Sequence, residues 1–445
     1  MSRSLHFEID PVNQPAATDV LERASWSSLR IRIGARTVSR VLDRGLSNDR
    51  PFERSMLYIP LFAVAEWVVT NWWALLHEPC RSEFLPQIDA DEPAFLWAKR
   101  HCLRSAESDL LLPALYLHSD GRGLRAEWRA DPDDLLPHMP AFFVDSGWCD
   151  LERENTEQSL AGLVSDVLDR VTGLDDPRAD DLRKNWSAIL AADAEEKAYC
   201  VIAGRLGLDP YDPEQIPEPL ACTLENLGEA SNPLVQDITN AASPQSLLEQ
   251  WQWIESAQRT HGLRGSRPLI DCPQPNDALR ADKFGYAVAR QFREKAALDA
   301  DERLKSVEEI GTRVLDAKIR VIDENHLTGR TVKLIVGRDP AGDVRVVGPI
   351  NRREENERFR VARSLYQAAV ASASSPRLVT DAFTWDQRAS RAFAAELIAP
   401  QSALKSRSGS FADPEAISSL ASEFGASTIL IEKQLKNAGV SIQDD

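Results

Sequence analysis

The 445-residue chain is 43% hydrophobic and 27% charged, the balance of a folded globular protein and not of a disordered or fibrous one. At roughly 150 residues per domain it has room for two or three cores. Its net charge of −17 opposes non-specific attraction to nucleic-acid phosphates, although a local basic face stays open.

No apolar run approaches the roughly 20 residues of a membrane span. The opening MSRSLHFEID is acidic and lacks the apolar core of a secretion signal, so a cytoplasmic protein without a membrane partner is expected. Cys80, Cys102, Cys149, Cys200, Cys222 and Cys272 show no C-x-x-C spacing. That pattern offers neither a zinc knuckle nor a redox pair, and reads as reduced, mostly buried thiols.

In chain order, 28–41 alternates apolar and polar residues around Gly34 and predicts a strand or hairpin. The stretch 59–77, IPLFAVAEWVVTNWWALLH, predicts one almost wholly apolar helix beginning near Pro60. LLLPALYLHSDGRGLRAEWRAD breaks at Ser119-Asp120-Gly121 into two strands, and AFFVDSG adds a third. A helix over 156–171 closes an α+β domain spanning 1–175. Seven of the eleven tryptophans precede residue 150, and such large apolar side chains are expected to build its core. Glu66, His77 and His101 beside Cys102 have no second ligand at i+4 and are assigned no role.

A hinge at 173–177 leads into a helical middle section and linker, 176–275, with a helix from Glu195 that stops near Gly207 and Pro210, and another at LLEQWQWIES. The third domain, 276–445, opens with helices at ALRADKFGYAVARQFREKAAL and SVEEIGTRVLD. Strands TVKLIVG and VRVVGPI follow, joined by a turn at 338–343. Two more helices come next, ERFRVARSLYQAAVAS and WDQRASRAFAAELIAP, the latter ended by Pro400.

On those two helices the chain resembles the ImmA/IrrE family of zincin-type metallopeptidases. Arg358, Phe359, Ala362 and Leu365 match the frame of the family's R-F-x-x-A-H-E-x-x-H helix, and Ala389, Phe393, Ala394, Glu396, Leu397 and Pro400 match its later E-x-x-A-N-x-F-A-x-E-L-x-x-P. The resemblance covers about 276–440 and implies a helix-rich α+β chain ending in an ImmA/IrrE-like peptidase fold with a helical tail. PLFAVAEWVVTNWWALLHEP and AGRLGLDPYD are similar to N-terminal portions of long bacterial members, which supplies no mechanism.

The departures fall where the family places its chemistry. Arg363 stands at the first histidine, Ser364 at the glutamate base and Gln367 at the second histidine, while Asp386 alone remains a plausible ligand. In H-E-x-x-H, residues at i and i+4 share one helix face and reach one ion, and the carboxylate activates the bound water. Arginine is a permanent cation offering donors only, so it cannot take the ligand's place. We expect a retained fold without an intact catalytic residue or a metal cofactor, in which Arg363 pairs with Asp386 across the former cleft. Arg363, Gln367, Asp386 and Arg388 are then candidates to line a cleft that still holds a peptide segment, or that is simply filled. Accidental similarity of two packed helices, and a metal site recruited from His326 with Asp381 or Asp386, are the other readings.

The tail, AISSLASEFGASTILIEKQLKNAGV, places Ala421, Gly425 and Ile431 at helix-turn-helix offsets, but 411–440 carries four acidic residues against Lys433 and Lys436, a poor surface for phosphates. The function expected is a cytoplasmic regulatory, sensing or binding module in stress response, a mobile element or phage defence, with a protein or peptide partner. An active metallo-endopeptidase with non-standard ligands, which would need zinc, and a helix-turn-helix DNA-binding regulator are the alternatives.

Overall fold

The computed structural model describes residues 4–14, 16–44, 51–82, 94–132, 140–265, 280–299, 301–324, 331–350, 353–370 and 375–443. The chain is a helix-rich α+β protein and divides into two compact units, Met1–Asn226 and Leu227–Asp445. Helices expected as a separate middle section are shared between them. Pro177–Ala191, Ala194–Arg205 and Glu218–Asn226 fall in the first unit, Pro233–Thr239 and Pro244–His261 in the second. Among the described residues no helix is long and apolar enough to cross a membrane.

In the first unit, strand Leu5–Pro11 pairs antiparallel with Trp26–Ile33, which turns through Gly34 at φ 57° into Arg36–Thr37. This is the hairpin that the alternation around Gly34 predicts. Strand Leu57–Pro60 flanks Trp26–Ile33 on its other edge. A second sheet orders Gly147–Leu151, Leu124–Arg129 and Ala114–Ser119, its Ser119-Asp120-Gly121 turn closed by Asp120 Oδ1 accepting from the N–H groups of Arg122 and Gly123. Trp67, Trp72, Trp73, Trp97 and Trp128 are buried as core, while Trp148 is exposed.

The predicted 59–77 helix needs correction. Pro60 ends a strand, and the helical stretch is two pieces, Phe62–Thr70 and Trp72–His77. Asn71 makes the break: its Nδ2 donates to Trp67 O at 2.8 Å, and at φ −104°, ψ 12° it leaves the helical geometry. The second piece lies close to Ala194–Arg205, where a Cβ on Gly204 would come within 2.5 Å of Trp73 O.

The second unit carries a sheet in the order Ile319–Asp323, Val344–Gly348, Val332–Arg338, Arg377–Thr380, antiparallel except for the first pair. The outer two strands were absent from the expected elements. Each is five residues or fewer, too short for a periodic signal, and takes its extended form from its neighbour in the sheet. Helices Ala281–Lys295, Glu354–Val370 and Trp385–Ile398 contribute a core that includes Phe284, Phe292, Tyr366 and Phe393.

Gly285 permits the tightest of these contacts. A Cβ there would lie 2.2 Å from Ala389 O and 2.8 Å from Ala392 Cβ, both in Trp385–Ile398. Gly285→Ala is therefore expected to destabilise this unit by about 1–3 kcal/mol through overpacking, despite alanine's better helix propensity. A urea midpoint that stays put or rises would show that the two helices separate freely.

Candidate functional site

Helix Glu354–Val370 starts with Glu354, Glu355 and Glu357 in its first turn, where carboxylates favour the positive end of the helix dipole. Its later turns are interior. Arg363 is 4%, Ser364 0% and Gln367 1% exposed. Opposite it, Trp385–Ile398 presents Gln387 and Ser390 inward, both buried, while Asp386 and Arg388 are only partly covered.

Arg363 bridges the helix pair and the strand Arg377–Thr380. Its Nη2 donates to Gln387 Oε1 at 2.6 Å and to Thr380 O at 2.8 Å, and its Nε donates to Ser390 Oγ at 3.1 Å. Gln387 in turn behaves as a short extension of the sheet, accepting from Thr380 N and donating to Leu378 O. Ser390 Oγ donates to Gln387 O. One side chain from the first helix, two from the second and one strand end are thus joined by hydrogen bonds, with the guanidinium where the resemblance would put the metal.

The expected Arg363–Asp386 pair does not form. Asp386 is adjacent to Gln387, and one residue of helix turns it by about 100° onto another face. There it approaches Arg377 Nη2 at 3.5 Å. Arg377 is held bidentately by Asp237 of helix Pro233–Thr239, at 2.7 and 3.0 Å. Among the described residues Arg363 and Gln367 are interior, and of the four cleft candidates only Asp386 and Arg388 reach the surface.

All three acceptors on Arg363 are neutral. Burial, and then the nearby charge of Arg391, push its pKa well down from the arginine range, yet a guanidinium remains protonated in a protein. Arg391 shares Thr380 O as an acceptor and also binds the carbonyls of Asp381 and Ala382. A second cation placed here would meet fixed positive charge.

Ser364 Oγ donates to Arg360 O, one turn back in its own helix, and among the described residues its hydroxyl is hydrogen-bonded to that carbonyl and not to a base. Gln367 has no partner for either amide atom among the described residues, an arrangement that calls for a buried water. None of Arg363, Ser364 and Gln367 can accept a proton from an attacking water. Among the described residues no group of three or more His, Cys, Asp and Glu side chains gathers where a metal could be held, and His326 lies outside them.

The frame residues of the two helices have plain packing roles. Ala389, Phe393, Ala394 and Leu397 are fully buried. Glu396 accepts from Arg290 Nε at 2.9 Å and from the N–H of Gln401 at 3.1 Å, capping the next helix, Gln401–Ser408. Gln434 of helix Thr428–Asn437 is also buried, donating to Glu396 and to Ala399 O, which docks the tail on this same corner. Its neighbour Lys436 is engaged by Glu432 at 2.6 Å.

Comparison with protein-family models, with curated proteins and with solved structures found no match. The likeness to the ImmA/IrrE family therefore rests on the residues quoted above.

Proposed function

We propose that this chain is a catalytically degenerate ImmA/IrrE-like protein that acts in the cytoplasm as a regulatory or sensing module, working by binding and not by metal-dependent hydrolysis. One observation carries the reading: Arg363, interior and hydrogen-bonded to three fixed acceptors, puts a permanent cation at the position the resemblance gives to a zinc ligand. A protein or peptide is the partner class most in keeping with this ancestry. The acidic charge, and the Lys436–Glu432 pair on the last helix, weigh against a nucleic-acid partner.

Elemental analysis of protein purified without chelators is expected to find transition metal far below one atom per chain. The combined variant Arg363→His, Ser364→Glu and Gln367→His should then acquire zinc at about one per chain, the two histidines at i and i+4 sharing one helix face. Stoichiometric metal in the natural protein would return the metallo-endopeptidase reading to first place. A restored variant that folds but takes no zinc would mean that this helix is not the family's metal-binding helix.

A further inference from the structure

The first unit contains a cavity of about 370 Å³, within the roughly 300–1,000 Å³ of small-molecule sites. Its apolar wall comes from Trp67, Trp73, Leu96 and Leu208. Both tryptophans are more than nine-tenths buried, and Trp67 is fixed by its Nε1 donating to Lys99 O at 3.1 Å. Leu96 by contrast is 41% exposed, an apolar side chain left facing the opening.

The charges around this wall are unequal. At the floor, Arg100 is neutralised by Glu78, Nε to Oε2 and Nη2 to Oε1, both at 2.8 Å. Gly207 makes room for that pair: at φ 74°, a Cβ there would stand 2.5 Å from both Arg100 Nη2 and Glu78 Oε1. What remains are the carboxylates of Glu66 and Asp209 and the ammonium of Lys99, none of them ion-paired among the described residues, a net charge of −1. Among the described residues the Asp209 carboxylate accepts the N–H of Tyr211 and meets no cation, and burial pushes its carboxyl upward, as expected of an acid without a counter-ion.

We infer that this cavity is a binding site for an organic cation, a primary or quaternary amine with an apolar body about the size of one aromatic ring. Glu66 and Asp209 would meet the ammonium, and the tryptophan and leucine wall would take the body. This goes beyond the proposed function and does not depend on it, since every residue involved lies in Met1–Asn226.

The test is calorimetric titration of the full chain with phenethylamine and with benzyltrimethylammonium, against 3-phenylpropionate, which has a similar body and the opposite charge. At least one amine should bind saturably, one per chain, and 3-phenylpropionate at least tenfold more weakly. Glu66→Gln with Asp209→Asn should weaken the amine at least tenfold. Neither carboxylate lies in the core, so the variant is expected to keep its fold, checked by an unchanged thermal midpoint. Failure of both amines to bind, equal binding of the acid, or an unaffected double variant would each overturn the inference. A metal found at the Arg363 position would overturn only the proposed function.

Discussion

Arg377→Met is expected to cost the Leu227–Asp445 unit about 3–5 kcal/mol, because it strands a buried carboxylate. The partner is Asp237, whose side chain is 6% exposed. Asp237 takes both forks of the guanidinium and also the N–H of Leu378 at 2.9 Å, so it ties helix Pro233–Thr239 to strand Arg377–Thr380. Burial alone would lower the pKa of Arg377, but the charge and hydrogen bonds of Asp237 outweigh it and raise it. The cost therefore comes from the orphaned anion more than from lost packing. Asp237→Asn in the same chain should recover most of it, since a neutral amide needs no counter-ion. Urea unfolding, with hydrogen exchange at 233–239 and 377–380, measures both. A loss under about 1 kcal/mol for Arg377→Met, or no recovery in the double variant, would mean that water already reaches the pair.

This corner shows what the sequence could and could not convey. Helices and hairpins were legible wherever apolar spacing and turn residues agree, as at Gly34, Asp120-Gly121 and Pro400. The boundary at Asn71 was not, because asparagine's side chain reached back to a helix carbonyl inside an apolar run. At the position the resemblance gives to a metal, residue types gave the departures, but not which groups would satisfy them. Arg363 finds its acceptors 17, 24 and 27 residues away, one of them a backbone carbonyl of a strand too short to predict. One signal was present. Gln387 and Ser390 sit three apart on one helix face, the spacing that can offer two oxygens to a single guanidinium, whereas Asp386 lies off that face. Charge complementarity suggested Asp386, and helix geometry overruled it.

The same interplay of distance and burial makes the first unit sensitive to acid. Glu78 is 2% exposed and shared between Arg100 and His101, whose Nε2 lies 3.0 Å from Oε2. The other ring nitrogen, Nδ1, is 2.6 Å from Leu117 O. Burial pushes the Glu78 carboxyl up, but Arg100's charge and the bonds from His101 and Arg100 prevail, holding it at about 2 against 4.5 for the free side chain. A carboxylate with a depressed folded pKa stabilises fully above its unfolded value, and that contribution is lost as pH falls from 4.5 towards 2. At about 1.4 kcal/mol per pH unit, the loss is on the order of 3 kcal/mol. Glu78→Gln removes the titrating group. The stability advantage of the natural chain over Glu78→Gln should therefore be constant from pH 7 to about 5 and shrink steadily below. Urea midpoints followed by tryptophan fluorescence across that range read the difference directly. An advantage that holds undiminished to pH 3 would mean that Glu78 does not enter the folded state as the ionised partner of Arg100.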